Sequence, residues 1–235
     1  MTNSRSLRAM CGLGMFLAAI IPLLAGETPE SKTQAPLPAA VKPFVDKVLD
    51  VAKKYEQFGR VDDEFRWAPW LCRTPNPGKV AFSGSSDNET HGRKLYSLFA
   101  NERDAYFQLS AKKTAPVGQI LVKESWLPEQ TSTPPSKELE FRKLNARDRH
   151  GEELVDHFSP YVQKDGKWYK ATKKAGLFVM MKYDPKTEGT DEGWVYGTVS
   201  ADLKKVTSIG KVASCMDCHV KAKFDRQFGI KTVQP

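Results

Sequence analysis

Apolar residues recur along this chain with two different spacings, and each spacing predicts a different kind of element. Between positions 41 and 55 they return every three or four residues, which is typical of an amphipathic helix, and Gly59 marks its end. From residue 118 to 126 apolar and polar residues alternate instead, which predicts a strand with one buried face. The chain is therefore predicted to begin its folded part with a helix and to continue with strands.

Further apolar segments and their connections predict an antiparallel sheet. Strands are expected at residues 95–100, 176–183 and 194–199, and the polar segment 187–193 is typical of a hairpin turn. The remaining expected elements are a short helix over 101–107, a small hairpin over 164–169 and a helical segment over 210–228. The predicted fold class is α+β: a mostly antiparallel sheet of about four or five strands with an N-terminal and a C-terminal helix.

The first residues have the pattern of a secretory signal. Arg5 and Arg8 precede an apolar stretch over residues 10–24, and small residues Ala25 and Gly26 follow. The apolar stretch is short for a membrane span, so we interpret residues 1–26 as a cleaved signal peptide. The alternative is an uncleaved anchor. Cleavage predicts a periplasmic or otherwise exported protein.

The rest of the chain divides into a leader and one domain. Residues 27–40 are rich in Pro, Thr, Ser and Ala and are predicted to be a flexible leader. Residues 41–235 are the size of one domain, and we expect them to fold as such. Within that domain, residues 127–170 are polar and interrupted by prolines and glycines. We interpret this segment as an irregular insertion leaving the sheet.

Composition and charge limit the class of partner. Hydrophobic residues make up 40% of the chain and charged residues 27%, as in an ordinary soluble globular protein. The net charge is +8, but the lysines and arginines are scattered and form no compact run with interleaved aromatics. Nucleic-acid binding is therefore not expected, and we interpret the charge as a solvated surface.

The chemistry of this chain is concentrated near its end, in the sequence Cys215-Met216-Asp217-Cys218-His219. This C-x-x-C-H pattern attaches haem c, because two thiols three residues apart can bond the two vinyl groups while the adjacent histidine ligates the iron. We therefore predict one covalent haem c, held by Cys215 and Cys218, with His219 as the metal ligand. A thioredoxin-like dithiol would require a βαβ unit, which the predicted elements lack. A zinc site would require a fourth ligand near the motif, which His91, His150 or His157 could supply only by chance.

Two other cysteines lie outside the motif. Cys11 falls within the signal segment, and Cys72 is left over. We interpret Cys72 as a buried small apolar residue rather than a reactive thiol.

The position of the motif bears on what the iron does. Because 16 residues follow His219, any second protein ligand has to come from upstream. Met180 and Met181 lie on a predicted strand, so at most one of them faces inward. We expect both to be packing residues and the iron to keep an open position for a small ligand. The alternative is an electron carrier with a six-coordinate haem.

Several segments in this order resemble the cytochrome P-460 family. They are HGRKLY at 91–96, Asn101 with Ala105-Tyr106, VGQILVKE at 117–124, LFVMMK at 177–182 with GWVYG at 193–197, and residues 210–219 with the C-x-x-C-H. The resemblance implies a mostly antiparallel β fold and a homodimer. Members of the family include enzymes that oxidise hydroxylamine, and relatives, the β-type cytochromes c-prime, that bind nitric oxide or carbon monoxide.

The resemblance also implies roles for residues around the haem. The enzymes carry a lysine cross-linked to the haem edge, and Lys123 is the candidate; the alternative is a solvent-facing strand lysine. Arg93 is a candidate hydrogen-bond donor to a bound ligand, or a surface arginine. Glu124 is a candidate proton acceptor, although strand alternation places it on the opposite face from Lys123. Tyr96 and Phe99 are candidates to cap the pocket.

Three functions follow from these expectations. The first is oxidation of hydroxylamine or a similar small nitrogen compound, with electrons passed to a redox partner protein. The second is reversible binding of nitric oxide. The third is electron transfer through a six-coordinate haem, which the position of the motif disfavours.

Overall fold

The structure is a computed structural model that describes residues 37–85, 91–110, 112–132, 140–148 and 150–228. The predicted signal peptide and nearly all of the predicted leader lie outside these residues. The described residues contain four α-helices: Lys42–Lys54 (α1), Glu64–Trp67 (α2), Arg103–Phe107 (α3) and Ala213–His219 (α4). None of the helices in these ranges is long and apolar enough to span a membrane.

Strands make up most of the described fold. They are Gly78–Lys79 (β1), Ala81–Phe82 (β2), Leu95–Ala100 (β3), Ile120–Thr131 (β4), Glu140–Arg147 (β5), Glu153–Ser159 (β6), Tyr161–Lys164 (β7), Lys167–Lys182 (β8), Trp194–Val199 (β9) and Val206–Gly210 (β10). The central sheet has the order β10-β9-β8-β4-β3-β2 and is antiparallel, with β7 added alongside β8. A small second sheet has the order β1-β6-β5. The predicted mostly antiparallel fold is confirmed.

Helix α1 covers one face of the central sheet, as its apolar periodicity predicts. Pro43 stands in its first turn, where a missing amide N–H costs nothing. Phe44 and Val48 are buried and pack, within one core, against Val122 and Val179 of the sheet. Burying each such side chain contributes roughly 1.5–3 kcal/mol. We call the side of the sheet that Val122 faces the helix face.

The other side of the sheet carries a second core. Leu121 and Tyr196 are buried there and pack with Tyr106 of α3 and with Cys215 and Met216 of α4. We call the side that Leu121 faces the motif face, because it receives the C-x-x-C-H segment. Since successive strand residues alternate, the motif face and the helix face take neighbouring residues of the same strands.

The segment 127–170 is more regular than predicted. Strand β4 continues to Thr131 and pairs with the first half of β8, while β5 and β6 form the second sheet. The predicted hairpin over 164–169 is confirmed, with Asp165 and Gly166 at positive φ in its turn. These strands escaped prediction because much of their surface is exposed, so their residues lack clear apolar alternation.

Two other expectations need correction. Residues 210–228 are not one helical segment: β10 ends at Gly210, α4 spans seven residues, and a loop follows. Helix propensity does not carry through Asp225 and Arg226, which adopt left-handed conformations. Cys72 is exposed rather than buried.

Candidate haem site on the motif face

Helix α4 brings the two motif thiols to one side of the chain. The carbonyl of Val212 accepts hydrogen bonds from the amides of Cys215 and Met216, each at 3.0 Å, which starts the helix at the motif. Residues three apart are neighbours on a helix surface, so Cys215 and Cys218 lie on adjacent turns. Cys215 is half-buried, Cys218 is exposed, and the described cysteines form no disulfide with one another.

His219 is held in one tautomer by its hydrogen bond. Its Nδ1 lies 2.5 Å from the backbone carbonyl oxygen of Arg226. Because a carbonyl can only accept, Nδ1 carries the proton and Nε2 keeps a lone pair, as a metal-ligating histidine requires. Burial of the ring lowers the pKa of His219, which also favours the neutral form.

The loop that presents this carbonyl is held by side chains. Asp225 and Arg226 have φ of 43° and 64°, a conformation that costs non-glycine residues roughly 1–2 kcal/mol each. The Arg226 guanidinium pairs with both carboxylate oxygens of Asp191, at 3.0 and 3.2 Å. Asp225 accepts from Lys182 and Trp194, both at 3.0 Å. These contacts offset the backbone strain.

Lys123 also lies on the motif face. Its ammonium group is 3.2 Å from the hydroxyl of Ser83 and 4.3 Å from the centroid of the Tyr96 ring. Burial, with a smaller contribution from Lys94, lowers the pKa of Lys123 to about 8. Burial is the main cause of the lowered pKa of His219, and the charge of Lys123 on the same face of the sheet adds to it.

The surroundings of His219 fit a large, flat, mostly apolar group. Tyr196 and Phe228 flank its ring, with centroids 5.4 and 5.3 Å away. Phe228 is 52% exposed, so apolar surface lies open beside the His219 ring. Two thiols and a neutral imidazole are the donor set of a c-type haem. Among the described residues, no three His, Cys, Asp or Glu side chains are gathered as a metal-ion site would gather them.

Comparison with known families decides the identity of this arrangement. The family model for cytochrome P460 matches residues 79–228, most of the chain, from β1 through α4 to the last described residue. The chain belongs to the cytochrome P460 family. The family match supports a haem protein, as the C-x-x-C-H motif predicted. No curated protein matches the chain significantly. The family match covers the central sheet and the motif but not α1, which this chain uses to cover the helix face.

The structure does not bring Glu124 to the site. Glu124 is 0% exposed on the helix face, where its carboxylate contacts the Tyr55 hydroxyl at 2.5 Å, Lys174 at 2.8 Å and Arg60 at 3.3 Å. Glu124 therefore makes packing and ion-pair contacts on the helix face, and its role as a proton acceptor at the haem stays a prediction that this placement disfavours. Strand alternation, visible in the sequence, already pointed to this outcome.

The remaining candidate residues divide between the two faces. Arg93 lies exposed in a turn before β3, and its role toward a ligand stays a prediction. Tyr96 lies beside Lys123, on the motif face, whereas Phe99 is buried on the helix face. Met180 packs on the motif face and Met181 on the helix face.

Sequence reasoning missed several residues of the site. Phe178 pairs across the sheet with Lys123. The centroid of its ring lies 4.0 Å from the centroid of the His91 ring and 5.4 Å from Nζ of Lys94. Asp225 and Arg226 were missed as well. Phe178 stands in an apolar strand whose register with β4 a single sequence does not reveal, and the loop residues carry no motif. The contact with Phe178 indicates that the HGRK turn closes over this end of the motif face.

Proposed function

We propose that the protein carries one c-type haem, bonded through Cys215 and Cys218 and ligated by Nε2 of His219. The hydrogen bond from Nδ1 of His219 to the Arg226 carbonyl carries this proposal, because it prepares the ring for a metal. When bound, the haem supplies a redox-active iron that takes a small ligand. Since c-type attachment takes place outside the cytoplasm, the proposal includes export to the periplasm or beyond.

The substrate class we propose is a small nitrogen compound, with hydroxylamine oxidation as the first candidate. The supporting observation is that Lys123, the candidate cross-linking residue, lies on the same face of the sheet as His219. With a pKa of about 8, roughly one Lys123 amine in ten is neutral at pH 7 and able to act as a nucleophile. Oxidation also requires a redox partner protein that accepts electrons, and the family resemblance extends the proposal to a homodimer.

Nitric oxide binding is the second candidate, and a different observation favours it. The described motif face beside Lys123 is lined by the aromatic rings of Tyr96 and Phe178, and the expected carboxylate, Glu124, points the other way. Oxidation of hydroxylamine releases protons and benefits from an acceptor near the substrate, whereas reversible binding of a diatomic ligand does not.

The attachment of the haem is tested with the full chain expressed alongside a cytochrome c maturation system. The expected intact mass is that of the chain without residues 1–26 plus one haem. Cys215→Ser and Cys218→Ser should each lose one thioether bond, whereas Cys72→Ser, the matched control, keeps both. A purified chain without covalent haem would overturn the proposal.

The two candidate functions are separated by the spectrum and by digestion. A strongly red-shifted ferrous Soret band, with haem mass retained on the peptide containing Lys123, supports the oxidising enzyme. An ordinary high-spin spectrum that responds to nitric oxide, with no haem on that peptide, supports the gas binder. Low-spin spectra in both oxidation states would contradict both candidates and leave electron transfer.

A further inference from the structure

The loop after α4 connects His219 to the turn between β8 and β9. The backbone carbonyl of Arg226 accepts from Nδ1 of His219, while its guanidinium pairs with both carboxylate oxygens of Asp191 in that turn. The Tyr196 hydroxyl also donates to Asp191, at 3.0 Å, and its ring lies beside His219. Asp191 thus contacts two residues that both adjoin the imidazole.

Asp225 anchors the same loop from the other side. One carboxylate oxygen accepts from Lys182 and from the Trp194 indole, each at 3.0 Å, and the other from the amide of Ala115 at 2.8 Å. Lys182 is only 6% exposed and also donates to the carbonyl of Glu192 at 3.0 Å. Burying a lysine costs desolvation energy, which its hydrogen bonds to Asp225 and to the Glu192 carbonyl offset. Asp191, Lys182, Trp194 and the Ala115 amide thus all contact Asp225 or Arg226 of this loop.

We propose that Arg226, held by Asp191, is a positioning residue for His219 and that this contact sets the reduction potential of the bound haem. The inference rests on the proposed haem ligation by His219. A carbonyl held against Nδ1 increases the electron donation of Nε2, which stabilises the ferric over the ferrous iron. The Asp191–Arg226 pair therefore keeps the potential low.

The side-chain pairs are needed because the backbone does not hold this position by itself. Asp225 and Arg226 are both non-glycine residues in the left-handed region, and such residues persist only where their surroundings over-determine them. When the Asp191–Arg226 pair is broken, the loop relaxes and the carbonyl moves away from Nδ1. The other anchor, Asp225, keeps the loop folded, so a change at Asp191 or Arg226 acts on geometry rather than on folding.

The test is a redox titration of the haem-loaded full chain with Asp191→Asn and Arg226→Leu. We expect each variant to hold covalent haem and to show a raised midpoint potential. At a fixed solution potential the ferrous-to-ferric ratio should increase about tenfold, which corresponds to about 59 mV for a one-electron couple. The iron–histidine stretching frequency of the reduced protein should fall, because the ligand becomes less basic. Arg226→Lys, which keeps a positive charge opposite Asp191, should shift the potential less than Arg226→Leu does.

A matched control uses another ion pair. Lys143 and Glu153 form an exposed pair at 2.6 Å on the small sheet, and Glu153→Gln should leave the potential unchanged. A wild-type potential in both Asp191→Asn and Arg226→Leu would overturn the inference, as would variants that lower the melting temperature without shifting the potential. A wild-type chain without haem would fail earlier, at the proposed function, and is recognised by its mass.

Discussion

Lys123 and Glu124 are neighbours on β4 whose side chains leave opposite faces of the central sheet. Lys123 lies on the motif face beside Tyr96, and Glu124 lies on the helix face among Tyr55, Arg60 and Lys174. One residue is therefore available to a haem group and the other to the packing of α1 against the sheet. Their opposite placement leads to opposite expectations for mutations at the two positions.

Glu124→Gln should lower stability without changing the haem. Removing the negative charge leaves Arg60, 1% exposed, with one carboxylate fewer, and breaking a buried ion pair costs about 3 kcal/mol or more. Urea denaturation measures the loss. Glu129→Gln, at an exposed position of the same strand, should fall within about 0.5 kcal/mol of wild type. An altered optical spectrum with unchanged stability would contradict the structural role.

Asp156 should make the protein sensitive to acid. It accepts from Arg60 at 2.9 and 3.1 Å and from Arg142 at 3.0 Å. Burial opposes ionisation, but the two guanidinium groups outweigh it and hold the pKa of Asp156 below its usual value. The contribution of this ionised carboxylate is therefore present above about pH 4 and is lost as pH falls through the lowered pKa.

Asp156→Asn tests this linkage. We expect it to cost about 3 kcal/mol at pH 7 and to flatten the decline in unfolding free energy below about pH 4. Denaturant titrations of wild type and variant at several pH values measure the difference. Parallel curves for the two proteins through that window would rule out Asp156 as a source of acid lability.

Lys123→Met should stabilise the haem-free chain at neutral pH. The pKa of Lys123 is lowered to about 8 from near 10.4, so below pH 8 the fold holds a partly buried charge at a cost. Removing it should raise the free energy of unfolding by roughly 1–3 kcal/mol at pH 7, less the hydrogen bond to Ser83.

The pH dependence gives the sign of this effect. Between about pH 8 and 10.4 the unfolded lysine binds more protons than the folded one, so wild-type stability rises and the advantage of Lys123→Met shrinks. Thermal or urea unfolding across this range measures it. An advantage that grows with pH would show that Lys123 is not desolvated.

Gly176→Ala should be among the most harmful small changes in the sheet. Gly176 has φ of 116° at an irregularity between β4 and β8, and an added Cβ would meet the backbone carbonyl of Val199 inside van der Waals contact. We expect a loss of about 3 kcal/mol or more. Gly166→Ala is the matched control, because its φ is 74° and nothing lies near its Cβ direction. It should lose about 1 kcal/mol, as measured by thermal unfolding.

The sequence predicted the elements that have strong local signals. Helix α1 follows its apolar periodicity, and β3 and β9 have the predicted bounds. The Asp165-Gly166 turn joins β7 and β8 as the predicted hairpin. The small sheet of β1, β6 and β5 was not predicted. Strand β1 pairs with β6 over a long sequence separation, as Gly78 does with Phe158, and local pattern contains no information about such pairing. Strands β5 and β6 are consecutive in sequence and pair with each other, but their residues lack clear apolar alternation.

For the site, the same division holds. The amino-acid sequence by itself determined the C-x-x-C-H motif, its family and the opposite directions of Lys123 and Glu124, because spacing and strand alternation are local properties. Only the tertiary structure decided that Phe178 pairs with Lys123 and that Arg226, held by Asp191, meets Nδ1 of His219. Those relationships depend on strand register and on a strained loop, which many distant contacts determine together.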